Sequence, residues 1–263
     1  MNAARPRKHF GQHFLHDRNI IDKMIASIAP AGDQHFVEIG PGRGALTLPL
    51  LAKVGRLDVI EIDRALAAGL QARSADPRLI VHQADALKFD LASLDPAPGR
   101  LRLVGNLPYN ISSPLLFHFL AQAAWLMDLH VMLQREVVDR MAASPGSRKY
   151  GRLTVALAAR CHVERLFNIR PGCFSPPPKV DSTFVRLTPD PALRARIHDE
   201  TLFDRLVSQA FSMRRKRIAN ALRGAASADD LTSQGVDPGS RAENVSPATY
   251  VQLANFLAQR DSA

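Results

Sequence analysis

The sequence predicts an α/β protein with a mostly parallel sheet, followed by a small all-helical domain. Up to Thr188, short apolar runs alternate with longer segments of helical periodicity, a pattern typical of parallel α/β sheets. After Thr188 the segment Pro189–Pro191 reads as a linker, and the remaining residues show only helical patterns. We therefore divide the chain into an α/β domain, residues 1–188, and a helical domain, residues 189–263.

Apolar runs predict the strands of the sheet. Those expected to be parallel are 35–39, 57–62, 79–82, 101–105 and 129–134. Two further runs, 162–168 and 182–187, flank a loop that contains Pro176, Pro177 and Pro178. Because consecutive prolines exclude a helix there, we expect these two runs to form an antiparallel pair at the sheet edge.

Capping residues predict where two of the helices begin. Asp17 precedes apolar residues at helical spacing from Ile20 to Ile28, and Pro30 ends that run. Ser246 precedes Pro247 near the C-terminus, which is a favoured pair for a helix start. The first of these helices leads into the apolar core.

Composition excludes several classes of protein. Hydrophobic residues make up 46% of the 263 residues, which is enough for a core without disulfides. Cys161 and Cys173 are too few for a disulfide framework or a structural zinc site, so we expect no metal. The sequence contains neither a secretory h-region nor a membrane-spanning apolar run, and we expect a cytoplasmic protein without a membrane partner.

The chain carries a large excess of positive charge. Lysine and arginine number 34 against 25 acidic residues, a formal net charge of +9. A polyanionic partner such as RNA is the leading physical explanation. Two clusters could neutralise phosphates, and either could instead be an ordinary solvated face. They are Arg5, Arg7 and Lys8 near the N-terminus, and Arg214, Arg215, Lys216 and Arg217, with Arg223 further on, in a segment we interpret as helical.

A glycine-rich loop after the first core strand predicts a site for a nucleoside-containing cofactor. The strand that ends at Ile39 runs into Gly40–Gly44, and Ala45–Leu51 has helical character. Glu61, at the end of the next strand, is suitably placed to bind a ribose diol. Asp85 follows the third strand and offers an acceptor for an adenine amino group. The alternative is a tight glycine turn with solvated acids.

The tetrapeptide Asn106-Leu107-Pro108-Tyr109 follows the fourth strand, at the carboxyl edge where α/β sheets bind ligands. This position suits chemistry on a planar amine such as the exocyclic amine of adenine. That amine is a poor nucleophile because its lone pair is delocalised into the ring, so a transferase gains by accepting hydrogen bonds from both of its hydrogens. The Asn106 side-chain oxygen and the Leu107 carbonyl are candidate acceptors. Pro108 would hold that carbonyl in a fixed direction, and Tyr109 offers a ring for an extruded base. The alternative is a plain surface turn.

A second aromatic residue precedes the proline-rich loop. Phe174 could close the other face of the base, and Lys179 could bind a phosphate. Alternatively, Phe174 belongs to the core and the prolines only break an edge strand. No HExxH motif, nucleophile elbow or Cys–His arrangement is present.

Several motifs, in order along nearly the whole chain, resemble those of the small-subunit ribosomal RNA adenine dimethyltransferase family. They are Phe10–Leu15, Val37–Gly42, Asn106–Ser112, Gln134–Val138, Tyr150–Leu153 and Phe174–Ser182. The resemblance implies a Rossmann-like class I methyltransferase domain with a helical RNA- or ribosome-binding domain. It further implies dimethylation, with S-adenosylmethionine, of two adjacent adenines in the 3′-terminal hairpin of small-subunit RNA.

The resemblance also implies roles for particular residues. The target base would lie between Tyr109 and Phe174, next to Asn106, Leu107 and Pro108. Implied cofactor contacts are His13, Leu15, Gly40, Glu61, Asp85 and Asn106. The family often has asparagine where this chain has His13, and Arg43 is atypical in the glycine loop. We expect a monomer that acts on the small ribosomal subunit.

Two rival functions remain open. One is a related enzyme that methylates an adenine of large-subunit RNA and confers macrolide resistance; the Asn-Leu-Pro-Tyr form and the long helical domain argue against it. The other is a ribosome-assembly or transcription factor that keeps the fold without transferring methyl groups. An intact site argues against loss of catalysis, although an assembly role is compatible with it.

Overall fold

The computed structural model describes residues 12–260. The predicted N-terminal basic cluster, Arg5, Arg7 and Lys8, lies outside the described residues, as do Phe10 and Gly11. The strands are β1 (Phe14–Leu15), β2 (His35–Ile39), β3 (Arg56–Glu61), β4 (Leu79–Gln83), β5 (Leu101–Asn106), β6 (Leu126–Gln134), β7 (Cys161–Ile169), β8 (Phe174–Ser175) and β9 (Ser182–Pro189). The helices are α1 (Arg18–Ile28), α2 (Thr47–Leu51), α3 (Arg64–Arg73), α4 (Ser112–Ala121), α5 (Arg135–Met141), α6 (Arg152–Ala158), α7 (Pro191–Arg194), α8 (Glu200–Ser212), α9 (Ile218–Ala221), α10 (Ala228–Ser233) and α11 (Pro247–Arg260).

Within residues 12–260, one sheet has seven strands in the order β4-β3-β2-β5-β6-β9-β7. The strands from β4 to β6 are parallel, as predicted. β9 pairs antiparallel with β6, and β7 lies beside β9 at the edge. Since β2 has β3 on one side and β5 on the other, the strand order reverses there, and the carboxyl ends of these strands form a crevice.

A short second sheet was not expected from the sequence. β1 pairs antiparallel with β8, with Phe14 opposite Ser175 and Leu15 opposite Phe174. This pairing joins the N-terminal motif to the proline-rich loop. The α1 helix follows, and the Asp17 side chain accepts a hydrogen bond from the Ile20 amide, which confirms the predicted N-cap.

Two compact units make up the chain. Among the described residues, the first comprises 12–138 and 164–189, and the second comprises 139–163 and 190–260. The segment Asp139–Val163 therefore belongs to the second unit although it precedes residue 188, because Tyr150 and Val155 are buried in the second unit's core. The assignment of separate functions to residues 1–188 and 189–263 stays a prediction.

The helical unit contains two buried tyrosines whose hydroxyls are satisfied by backbone. Tyr150 donates to the Val245 carbonyl at 2.8 Å, and Tyr250 donates to the Ala242 carbonyl at 2.9 Å. Ser246 caps α11 by accepting from the Thr249 amide, as predicted. These bonds allow large aromatic rings to fill the core without an unsatisfied hydroxyl.

The interpretation of residues 214–217 as helical was wrong. Helix α8 ends at Ser212, and the basic residues form the turn that precedes α9. The Arg214 guanidinium contacts Glu243 at 2.7 Å and donates to the Arg148 carbonyl at 2.6 Å. These tertiary contacts hold the turn, so local helix propensity does not decide its conformation.

Among residues 12–260, none of the helices combines the length and the apolar character that a transmembrane segment needs.

Candidate active site

A cavity of about 350 Å³ lies at the carboxyl ends of β2, β3 and β5, a size within the usual range for small-ligand sites. It gathers most of the residues predicted from the sequence. Its lining includes His13, Leu15, Gly40, Glu61, Asp85, Asn106, Leu107, Pro108 and Tyr109. Phe174 does not appear in that lining.

The glycine loop follows β2 and lies against the N-terminal segment. Gly42 has a φ of +55°, and a Cβ there would approach the Phe14 ring to 3.1 Å. Any other residue would therefore be strained and crowded at this position. On its outer side, the Arg73 guanidinium donates to the Arg43 carbonyl at 2.8 Å, which ties the loop to α3.

Glu61, at the end of β3, holds the glycine loop from inside. One carboxylate oxygen accepts from the Gly42 amide at 3.1 Å, and the other accepts from the Asp63 amide at 2.9 Å. Asp63 in turn caps α3. Burial raises the pKa of the Glu61 carboxyl above its ordinary value. The acid thus connects the loop, β3 and α3.

Asp85 lies after β4, where the crevice continues. Its carboxylate accepts a hydrogen bond from the Leu87 amide at 3.0 Å, which fixes the side chain within a turn. The residue is half-buried and lines the cavity. Asp85 is therefore a further acidic group in the lining of the cavity.

Glu38 is a cavity residue that the sequence reasoning did not select. Its side chain is 3% exposed, and its Oε2 atom has no hydrogen-bond partner among residues 12–260. Burial raises the pKa of this carboxyl from 4.5 to about 7. An acid inside an otherwise apolar strand, two residues before the glycine loop, was the available signal. A buried carboxylate of this kind favours a cationic ligand group.

Asn106, the last residue of β5, is oriented by the N-terminal segment. Its amide nitrogen donates to the His13 carbonyl at 2.9 Å. Because a carbonyl can only accept, this contact assigns the nitrogen to His13 and leaves the Asn106 oxygen as an acceptor for another partner. The amide is thus set to receive a hydrogen bond from an amine.

The turn after Asn106 carries the other predicted groups. Leu107 is buried, and its amide donates to the Met132 carbonyl at 3.2 Å. The Pro108 carbonyl accepts from the Ile111 amide at 3.2 Å. The Tyr109 hydroxyl shares a hydrogen bond of 2.5 Å with Ser182, and burial raises the pKa of Tyr109. The turn is therefore held to β6, to the residue that precedes α4, and to β9.

Phe174 occupies a different environment from the other predicted residues. Its side chain is 2% exposed and packs in the same apolar cluster as Leu15. Its backbone, in β8, pairs with β1. A role for the ring in stacking against a base stays a prediction.

Comparison with known proteins decides the family. A family model described as ribosomal RNA adenine dimethylase matches residues 3–259. The chain is a member of the ribosomal RNA adenine dimethylase family. The cavity at the strand ends and the Asn106–Tyr109 turn are thus features of a dimethylase-family protein.

Curated relatives cover almost all of this dimethylase-family chain. Ribosomal RNA small subunit methyltransferase A of Nitrosococcus oceani is 52% identical over 254 residues, which are 96% of each chain. The protein of the same name from Alcanivorax borkumensis is 49% identical over 97% of this chain and 91% of its own. The family resemblance inferred from motifs is therefore confirmed.

Solved structures confirm the Rossmann-like class I methyltransferase fold. A dimethyladenosine transferase from Plasmodium falciparum superposes with a TM-score of 0.79, at 25% identity over 95% of this chain and 98% of its own. The 23S rRNA methyltransferase ErmE superposes with a TM-score of 0.68, at 26% identity over 94% and 100%. Identity to the small-subunit methyltransferases is about twice as high as to ErmE.

Proposed function

We propose that this protein transfers methyl groups from S-adenosylmethionine to the N6 amines of two adjacent adenosines in the 3′-terminal hairpin of small-subunit ribosomal RNA, and that each amine receives two. The orientation of the Asn106 amide carries the proposal, since its nitrogen donates to the His13 carbonyl and its oxygen stays available as an acceptor in a residue that lines the cavity. The high identity to small-subunit methyltransferases supports the choice of substrate.

The cavity residues fit the proposed cofactor. Glu38 has an unpartnered buried oxygen that suits a cationic amino group. Glu61 and Asp85 would accept from the ribose hydroxyls and the adenine amine, and the loop at Gly40 allows close backbone approach. His13, Leu15 and Asn106 would complete the contacts. When bound, S-adenosylmethionine supplies an activated methyl group on its sulfonium.

The protein's part in the reaction is to bind, orient and polarise the target amine. The Asn106 oxygen and the Leu107 carbonyl would accept the two N6 hydrogens, which directs the nitrogen lone pair toward the methyl group. Tyr109 would support one face of the flipped base. Pro108 restricts Leu107 and so aims its carbonyl. We retain Phe174 as the second stacking residue, which requires its ring to become exposed in the RNA complex.

The proposed partner is the small ribosomal subunit, in the cytoplasm, with the protein acting as a monomer. The excess of positive charge supports an RNA partner. Large-subunit RNA is the second candidate, because the 23S rRNA methyltransferase ErmE also superposes over nearly the whole chain.

The deciding experiment measures transfer of labelled methyl from S-adenosylmethionine to small subunits that lack the modification, with the product nucleoside identified by mass spectrometry. We expect N6,N6-dimethyladenosine in small-subunit RNA. Modification of large-subunit RNA alone would support the second candidate. Tight subunit binding without any transfer would indicate a non-catalytic assembly factor.

Two alanine variants separate base binding from cofactor binding. Tyr109→Ala should lower methylation roughly 5- to 150-fold, the range expected for loss of one stacked base, with little change in cofactor affinity. Glu61→Ala should mainly weaken cofactor binding, because both of its oxygens hold the site together. Isothermal titration and single-turnover rates measure the two effects. Equal losses in both quantities for Tyr109→Ala would contradict its assigned role.

A further inference from the structure

Two residues, His13 and Ser182, contact the Tyr109 side chain, and the sequence did not predict either contact. The His13 ring stacks on it, with centroids 5.7 Å apart and planes inclined by 28°. The Ser182 hydroxyl, at the start of β9, binds the phenol oxygen at 2.5 Å. One contact covers a face of the ring and the other fixes its far end. Together they define one orientation of the ring plane.

Both partners are themselves fixed. His13 Nδ1 donates to the Pro176 carbonyl at 2.8 Å, which sets the tilt of the imidazole. Ser182 is fully buried in the strand that pairs with β6. The target base would therefore stack on the Tyr109 face opposite His13, against a ring whose rotation these two contacts oppose.

Double methylation places unequal demands on this ring. In each transfer an N6–C bond forms from the amine electron pair, the S–C bond breaks with its pair left on sulfur, and one N6 proton leaves to water. Unmodified adenine presents two N6 hydrogens to Asn106 and Leu107, whereas N6-methyladenine presents only one. In the second transfer, alignment of the base thus depends more on stacking and less on hydrogen bonds.

We propose that His13 and Ser182 are positioning residues that hold Tyr109 rigidly enough for the second methylation of each adenine. The proposal rests on the proposed function and deepens it: the pair determines whether the product is dimethylated or stops at one methyl group. In this role the His13 imidazole and the Ser182 hydroxyl act through the Tyr109 ring and not on the reacting atoms.

The experiment compares Ser182→Ala with wild type on unmodified small subunits, and mass spectrometry measures N6-methyladenosine and N6,N6-dimethyladenosine at matched total methyl incorporation. We expect the monomethyl-to-dimethyl ratio to rise about three- to tenfold, the range for loss of one neutral hydrogen bond. Thr183→Val is the matched control. It removes a buried hydroxyl bond, to Asn168 at 2.8 Å, from the next position of the same strand, on the other face of the sheet.

Two further variants test the same idea without Ser182. Tyr109→Phe keeps the ring but loses the bond to Ser182, and His13→Ala removes the stacked imidazole while its carbonyl still orients Asn106. Both should raise the ratio. An unchanged ratio in Ser182→Ala and Tyr109→Phe, or an equal rise in Thr183→Val, would overturn the inference. Absence of any adenine methylation by wild type would instead overturn the proposed function.

Discussion

At the scale of single residues, the site contains polar groups that are costly to bury. Two of them, Asn106 and Glu38, each have an oxygen that can still accept a hydrogen bond from a ligand. The Asn106 side-chain nitrogen donates to the His13 carbonyl, and the side-chain oxygen is available to accept from a ligand. Glu38 keeps an oxygen without any partner in the described part of the chain. Such groups reduce stability in the free protein, and a ligand that completes them recovers the loss.

Glu38 gives a pH-dependent prediction. If its carboxylate binds the cofactor's amino group, protons compete for it below its pKa of about 7. The dissociation constant for S-adenosylmethionine should therefore rise about tenfold as the pH falls from 8 to 6. Glu38→Gln should bind more weakly at pH 8 and show a nearly flat profile, measured by isothermal titration. A variant that keeps the wild-type slope would assign the titration to another group.

Although Glu38→Gln should weaken cofactor binding, it should stabilise the free protein. Because the folded-state pKa of Glu38 is raised above 4.5, its contribution to the free energy of unfolding is full below pH 4.5 and is lost as the pH rises through about 7. Glu38→Gln should therefore raise the Tm of the free protein at pH 8, with a smaller gain at pH 5.

At the scale of elements, β5 delivers Asn106 to the cavity and is anchored at its opposite end by Arg102. The guanidinium binds the Asp128 carboxylate of β6 at 2.8 Å and the Ile28 carbonyl at the end of α1 at 2.8 Å. It also donates to Gln34 at 2.9 Å. One buried ion pair thus joins two strands and a helix C-terminus whose last carbonyls need donors.

Removing one partner of this pair should be far more harmful than removing both. Arg102→Ala leaves Asp128 buried without its guanidinium, and we expect a loss of about 3–5 kcal/mol in the free energy of unfolding. The double variant Arg102→Leu/Asp128→Leu should lose considerably less. Urea unfolding followed by circular dichroism measures both. Equal losses would show that the hydrogen bonds to α1 and Gln34 dominate.

At the scale of the whole molecule, the net charge of +9 predicts binding to RNA that weakens steeply with salt. The basic residues of the turn at 214–217 differ in how far they are engaged within the protein. Arg214 is engaged with Glu243 and two backbone carbonyls. Arg215, Lys216 and Arg217 are exposed.

Salt titrations distinguish these roles. Each of Arg215→Ala and Lys216→Ala should reduce the log–log salt slope of subunit binding by roughly 0.7–0.9 if its side chain neutralises one phosphate. Arg214→Ala should instead lower the Tm with a smaller change in slope. A slope that none of the three variants changes would remove this turn from the RNA contact surface.

The sequence by itself determined the features that depend on neighbouring residues. The parallel strands, the glycine loop, the caps at Asp17 and Ser246 and the Asn-Leu-Pro-Tyr turn after β5 were all predictable. Side-chain periodicity and capping act over a few residues, so they leave a readable pattern.

Only the tertiary structure decided which distant segments meet. His13, next to β1, contacts Asn106, 93 residues away, and Ser182, the first residue of β9, contacts Tyr109, 73 residues away. The burial of Glu38, the turn at Arg214 and the membership of Asp139–Val163 in the second unit have the same origin. Such contacts depend on how whole elements pack against each other. The pattern of neighbouring residues therefore does not predict which distant residue each one contacts.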